Sequence, residues 1–180
     1  MQSFSLQEKL ENDLVLLLPL DADDFEAVYK PASHPKVWNQ HPNKERWQRS
    51  VFENFFKGAL ASGGAYKIID KKSKEVIGCT RFYEYDPQEK SIYIGYTYFG
   101  KDFWGQGYNK ASKTVMLDYI FQYVNQVKLH IGAENYRSQR SIEKIGAIKI
   151  AEEPVAYFGE NTKLNFLYVI TKKDWLAKGE

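Results

Sequence analysis

Phe103-Trp104-Gly105-Gln106-Gly107-Tyr108-Asn109 is the stretch whose reading decides the fold. Before it, Ser91-Ile92-Tyr93-Ile94-Gly95-Tyr96-Thr97-Tyr98-Phe99 is rich in β-branched and aromatic residues and predicts a strand. After it, Met116, Tyr119, Ile120 and Tyr123 recur at i, i+3, i+4 and i+7, with Leu117, Phe121 and Val124 beside them. That spacing predicts a helix with a broad apolar face. The order strand, glycine loop, helix has a chemical meaning. Glycine lets the backbone approach a ligand closely, and the first N–H groups of a helix have no partner within it. Together they suit an anion such as a pyrophosphate. A tight turn between strand and helix is the purely structural alternative. The spacing also separates types of phosphate loop. A dinucleotide fingerprint needs a third glycine where Lys110 stands, and a Walker loop needs Gly-Lys followed by Ser or Thr, which is absent.

A second stretch adds to the first. Val127-Lys128-Leu129-His130-Ile131-Gly132-Ala133 predicts a strand, and Glu134 to Ala147 follows it. Read structurally, Asn135 is an N-cap, Ser138 lies three residues into a helix and Gly146 ends it. Taken together, the two stretches resemble the GNAT family of N-acetyltransferases. The acyl-CoA loop pattern of that family, Gln/Arg-x-x-Gly-x-Gly/Ala, maps onto Trp104, Gly105, Gln106, Gly107, Tyr108 and Asn109. Tryptophan in the first place resembles the branch of ribosomal-protein N-terminal acetyltransferases, the Rim type. Asn109 departs from the small residue usual in the last place, and an asparagine there can cap the helix. The second family signature, Asn-x-x-Ser/Ala and then Lys-x-Gly-Phe, is met by Asn135, Ser138, Lys144 and Gly146, with Ala147 replacing the aromatic.

The remaining chain fits around these stretches. Its 180 residues suit a single domain over 1–180 with a sizeable core. A hydrophobic share of 43% with 27% charged residues is ordinary for a globular protein, while 16% aromatics points to a well-filled core or an aromatic-lined cleft. A net charge of +2 gives no argument for nucleic acid. The lone Cys79 rules out an internal disulfide, reads as a small buried residue and fits a reducing cytoplasm. Met1 to Lys9 lacks the basic-then-apolar order of a leader, and no apolar run approaches the roughly 20 residues that span a bilayer. Leu14 to Leu20 predicts a first strand that Pro19 ends or confines to an edge, and Asp21 then caps a helix carrying Phe25, Val28 and Tyr29. Pro31 to Pro42 reads as irregular, with His34 and His41 solvated and Trp38 a packing residue. Asn43 is expected to cap a helix carrying Trp47, Val51, Phe55 and Leu60. Strands at Ala65–Asp70 and Glu75–Tyr83 build an antiparallel meander into Tyr93–Phe99. Ile148-Lys149-Ile150, an acidic turn at Glu152-Glu153-Pro154, a last strand over Leu164–Ile170 and a packed Trp175 complete the chain.

The resemblance implies a mixed, mostly antiparallel α/β sheet flanked by helices and splayed at the cofactor strand. It implies acetyl-CoA as cosubstrate, no metal, and a primary amine as acceptor, either a protein N-terminal α-amine or a small molecule. It implies a cytoplasmic monomer or homodimer without nucleic-acid or membrane partners. By the same carry-over, backbone N–H groups from Trp104 to Asn109 hold the pyrophosphate. Tyr96, Thr97, Tyr98 and Phe99 form the splayed strand that meets the acetyl carbonyl and pantetheine arm, and Asn135 contacts that arm. Many relatives protonate the leaving thiolate with a tyrosine seven residues after the asparagine; here that residue is Ile142, so Ser138 is the expected donor or hydrogen-bond partner. For the general base, a glutamate two residues before the Gly-Tyr pair is replaced by Tyr93. Glu84 acting through water is the candidate, with a solvated turn carboxylate as its structural alternative, and His130 is read as a packing residue. Lys110, Lys113 and Arg140 are candidates for the 3′-phosphate or simply an exposed helix face. A non-catalytic acyl-CoA-binding module and an unrelated phosphate binder are the competing functions.

Overall fold

Alternating apolar residues order eight strands into one sheet. The computed structural model describes residues 4–179. Met1 to Ser3, the start of the stretch read above for a leader, and Glu180 lie outside the described residues. The strands are β1 (Leu10–Glu11), β2 (Val15–Pro19), β3 (Ala65–Asp70), β4 (Val76–Asp86), β5 (Ser91–Phe99), β6 (Gln126–Gly132), β7 (Ile148–Val155) and β8 (Lys163–Thr171). Their order in space is β1-β2-β3-β4-β5-β6-β8-β7. Every pairing is antiparallel except β5 with β6, which is parallel. A parallel neighbour needs a crossover, and the glycine loop with helix α3 (Tyr108–Ile120) supplies it.

Helices cover both faces. α1 (Phe25–Ala32) and α2 (Arg49–Ala61) lie on one side, where Val28, Phe52, Phe55, Phe56 and Ala59 pack with Trp38, Cys79 and Tyr98. The spacing of 52, 55, 56 and 59 is the stripe that a sheet-packed helix requires. α3, α4 (Tyr136–Lys144) and α5 (Lys172–Ala177) lie on the other, burying Val115, Met116, Leu117, Ile120 and Ile142, with Trp175 packed alongside. Trp175 also donates to Asp118 across 2.8 Å. Burial pushes the Cys79 thiol up to about 12, in keeping with a small apolar residue. Among the described residues no helix is long and apolar enough to cross a membrane.

Local chemistry explains most boundaries. Asp21 accepts from Asp23 N while Asp24 reaches back to Asp21 N, a reciprocal cap at the entry to α1. Pro19 is the last residue of β2, where a missing N–H matters least. Three expectations need correction. Pro31–Pro42 is not irregular throughout: Pro31 and Ala32 finish α1, and Pro35–Trp38 forms a 3-10 turn whose first N–H groups His34 Nδ1 helps to satisfy. Trp38 is fully buried and donates to Ala32 O, so its packing role holds. Asn43 caps only a short turn through Glu45 N, and α2 starts six residues later at Arg49. The intervening chain turns Arg46 inward. Glu152-Glu153-Pro154 is not a turn but part of β7, the outermost strand, where charges and a proline are tolerated because that edge has no further neighbour.

Arg46 is 2% exposed and meets Glu160 through two parallel bonds of 2.6 and 2.7 Å. The pair ties the chain before α2 to the turn between β7 and β8. Its guanidinium also lies over the rings of Trp38, Phe55 and Tyr157. Removing one member strands the other charge in a buried site, so Glu160→Gln is expected to lower unfolding free energy by about 3–5 kcal/mol. Urea denaturation measures this; a loss under about 0.5 kcal/mol, the range of ordinary surface changes, would show that water reaches the arginine.

Candidate active site

The site begins with a mismatch between two strands. Cys79 pairs with Tyr98 and Arg81 with Gly95, so Thr80 of β4 faces two residues of β5, Tyr96 and Thr97. The extra residue forms a bulge. Tyr96 takes φ 52, in the left-handed region that a non-glycine residue enters at a cost of about 1–3 kcal/mol. Its surroundings fix it there. The Arg81 guanidinium lies 3.6 Å from the centre of its ring, and Tyr83, Tyr157 and Phe55 meet that ring edge-on. β5 leaves β6 before the bulge. The parallel ladder holds only Ser91, Ile92 and Tyr93 against Gln126, Val127 and Lys128.

A cavity of about 360 Å³ opens where the strands part. Tyr96, Thr97, Tyr98 and Phe99 line one wall, and Asn135, Ser138 and Ile142 of the α4 region line another. The glycine loop closes one end. Gly105 and Gly107 have φ 73 and 85, and a Cβ on Gly105 would meet no atom within 4 Å. The backbone conformation, not lack of room, demands glycine there. The Trp104 N–H, expected to share in holding the pyrophosphate, is taken by Lys101 O, whereas among the described residues the N–H groups from Gly105 to Lys110 find no acceptor in the protein. They are a ready anion cradle at the start of α3. Trp104 is anchored through Nε1 to Phe99 O, and the Arg137 guanidinium sits 3.8 Å over its ring.

Two loop expectations change. Gly107, not Asn109, is the residue that precedes α3. Asn109 lies in the first helical turn and donates to Ser141 Oγ across 2.7 Å, tying α3 to α4, while its Oδ1 is buried with no partner. Gln106 folds its side chain onto Asp102 O and does not line the cavity. Asn135 does cap α4, accepting from Ser138 N across 3.2 Å.

The charge pattern is one-sided. Arg46, Lys110, Lys113, Arg137 and Lys144 line the cavity, and no aspartate or glutamate does. Arg140 stands outside it, in a neighbouring depression with Gly105 and Lys144. Lys113 is not on an exposed helix face. It is 4% exposed, donates to Thr97 Oγ1 across 2.8 Å, and burial pushes its amine down to about 7. Glu84 is exposed, with φ 50, and lies outside the lining, so the structure does not bring it to the site.

The far end of the cavity holds residues that were not picked out from the sequence as a site. His41 is no solvated loop histidine: burial, with help from Arg46 and Arg137, holds it well below the ordinary histidine range. Tyr157 donates to Asn165 Oδ1. His130 lines the cavity, stacks on Tyr93 at 4.8 Å and meets Glu153 Oε1 at 2.5 Å. A signal existed for Lys113, since it sits three residues before Met116 on the apolar face of α3. None existed for Glu153, which reaches His130 only because β8 lies between β6 and β7. Among the described residues no three His, Cys, Asp or Glu side chains gather as a metal site would require.

A family profile described as the acetyltransferase (GNAT) domain matches residues 15–148. No curated protein matches the chain. Among solved structures, a GCN5-related N-acetyltransferase from Brucella melitensis superposes with a TM-score of 0.82 at 19% identity, covering 95% of this chain and 81% of that one. A candidate ribosomal-protein-serine acetyltransferase from Vibrio cholerae gives 0.72 at 16% identity, with 93% and 99% covered. A spermidine N-acetyltransferase from Vibrio cholerae, solved with CoA and spermine, gives 0.69 at 16%, with 92% and 99% covered. At these identities the neighbours speak for the fold, which is the splayed α/β sheet described above. The match of the family profile over most of the length carries the assignment: the chain belongs to the GNAT acetyltransferase family.

Proposed function

We propose that the protein transfers the acetyl group of acetyl-CoA to a primary amine, either the α-amine of a protein N-terminus or that of a small molecule. The observation that carries this reading is the cavity itself: an anion cradle with Lys110, Lys113, Arg137 and Lys144 and no carboxylate in the lining, set in the gap of a splayed sheet. Such a lining fits a cosubstrate bearing phosphates, and the family uses acetyl-CoA. One Vibrio neighbour is described as a candidate ribosomal-protein-serine acetyltransferase and the other as a spermidine N-acetyltransferase, so a protein and a small-molecule acceptor both stay within the reading.

The residues take the following roles. Backbone N–H groups from Gly105 to Asn109 receive the pyrophosphate, with Lys110 and Arg140 at the mouth for the 3′-phosphate. The bulged strand from Tyr96 to Phe99 and the Asn135 side chain position the pantetheine arm. Acetyl-CoA, when bound, would supply an acyl carbon activated as a thioester. An amine becomes a nucleophile only after losing its proton, and His130, held by Glu153, accepts it. Ser138 offers its hydroxyl to the leaving sulfur.

Calorimetric titration is expected to give binding of acetyl-CoA and CoA and little of ATP; absence of CoA binding would overturn the reading. In turnover with a panel of peptide N-termini and small amines, His130→Gln is expected to lower kcat/KM by about 10²–10⁴-fold with acetyl-CoA affinity retained. Full activity in that variant would remove His130 from the chemistry. Ser138→Ala is expected to lower kcat by about 10–100-fold, the loss of one hydrogen bond to a charged group.

A further inference from the structure

Lys113 has a setting that an ordinary structural lysine lacks. Its amine is buried under the sheet, between α3 and the bulge. Its hydrogen-bond partner is the Thr97 hydroxyl, which in turn contacts the Thr80 hydroxyl at 2.8 Å. Among the described residues no carboxylate pairs with it, and burial alone lowers its basicity. A buried, unpaired ammonium is costly, and a methionine of similar length would fill the same space without that cost. The cavity wall nearby contains Ile142, an apolar side chain with no proton to give. Asn109, one helical turn before Lys113, is bonded to Ser141, the neighbour of Ile142, and Lys113 and Ile142 both line the cavity.

We propose that Lys113 is the general acid of the acetyl transfer, delivering its proton to the departing CoA sulfur. This rests on the acetyltransferase reading above. The balance is simple. The amine nitrogen bonds to the acyl carbon as the carbon–sulfur bond breaks, the amine proton goes to the base, and the sulfur takes the ammonium proton of Lys113. Lys113 then regains a proton from solvent after the thiol leaves. An amine poised at about 7 is protonated often enough to act at neutral pH and gives up its proton readily. The other ionisable groups facing the cavity are bases or phenols. His41 and Arg46 come from the chain before α2, and Tyr96 and Tyr98 from β5. His130 comes from β6, Arg137 and Lys144 from α4, Tyr157 from the turn after β7, and Tyr108 and Lys110 from α3 itself. None brings a negative charge that would hold Lys113 protonated at high pH.

The test compares wild type with Lys113→Met and Lys113→Arg in acetyl-CoA titrations, pH–rate profiles with a reactive amine, and pH-dependent melting. Wild-type kcat is expected to fall as pH rises through the amine's titration. Lys113→Met is expected to lose about 10²-fold in kcat near pH 7 and to lose that basic limb, with acetyl-CoA affinity within a few-fold. Lys113→Arg keeps the charge but cannot release a proton, and is expected to be equally slow. Melting reports the burial independently of turnover. The folded amine titrates at about 7 and the unfolded one at its ordinary 10.5. Below pH 7 the folded state therefore bears the full cost of a buried charge, which shrinks as pH rises towards 10.5. Lys113→Met is thus expected to raise Tm more at pH 6 than at pH 10. Unchanged kcat and pH profile in Lys113→Met would overturn the proposal, as would an acetylated Lys113 found by mass spectrometry after turnover, which would make it an acceptor. Failure of wild type to bind acetyl-CoA would instead remove the acetyltransferase reading and this proposal with it.

Discussion

One residue out of place holds the architecture open. Tyr96 occupies a left-handed backbone conformation opposite Thr80, in the half of β5 that no longer pairs with β6. The cavity opens beside this unpaired half of β5. The strain is offset by what grips the Tyr96 ring: the Arg81 guanidinium on its face and three aromatic edges around it. Arg81 is itself 2% exposed and donates to Phe55 O, so it is fixed by the helix layer above the sheet. The gap is therefore a property of the packed core of α1 and α2, not of the loop that borders it.

Charge placement follows the same economy. Arg46 is neutralised by Glu160 and serves as a rivet between distant segments. Lys110, Lys113, Arg137 and Lys144 face the cavity, which contains no acid to oppose them. Low-dielectric walls focus such a field and raise the local concentration of anions. The acids that the chain does place nearby lie one layer back. Glu153 does not line the cavity and meets the His130 ring from behind.

The glycine loop and the Asn-x-x-Ser helix were legible because they rest on local rules: backbone dihedrals that glycine alone takes easily, and a cap that needs its donor three residues on. The apolar spacing of α3 was legible for the same reason, whereas the face of α2 was not: of the expected Trp47, Val51, Phe55 and Leu60 only Phe55 is buried, and Leu60 is exposed, because the helix starts at Arg49 and turns Phe52, Phe55, Phe56 and Ala59 to the sheet. What the sequence hid were relations across the fold. Asn109 does not cap α3, because its partner, Ser141, lies on another helix. Glu152-Glu153-Pro154 looked like a turn because edge strands tolerate what central strands do not, and nothing in the chain announces that β8 slips between β6 and β7. Glu84 drew attention through strand position, yet the bulge that decides which side chains face inward is set by pairing between β4 and β5. Lys113 broke the apolar stripe of α3 in plain view; its importance needed the Thr97 hydroxyl beneath it.

The indole of Trp104 occupies a place that gives the protein an optical readout of its own. Of the four tryptophans in the chain, Trp104 alone lines the cavity, with a guanidinium laid across its face. A cation held against an indole alters its emission, and this stacked pair shares the cavity lining with the glycine loop. Trp38 lies one layer behind the cavity, packed on His41 and Tyr98, while Trp47 and Trp175 do not line it. Intrinsic fluorescence should therefore resolve arrival at the loop from changes elsewhere, without a label and without turnover.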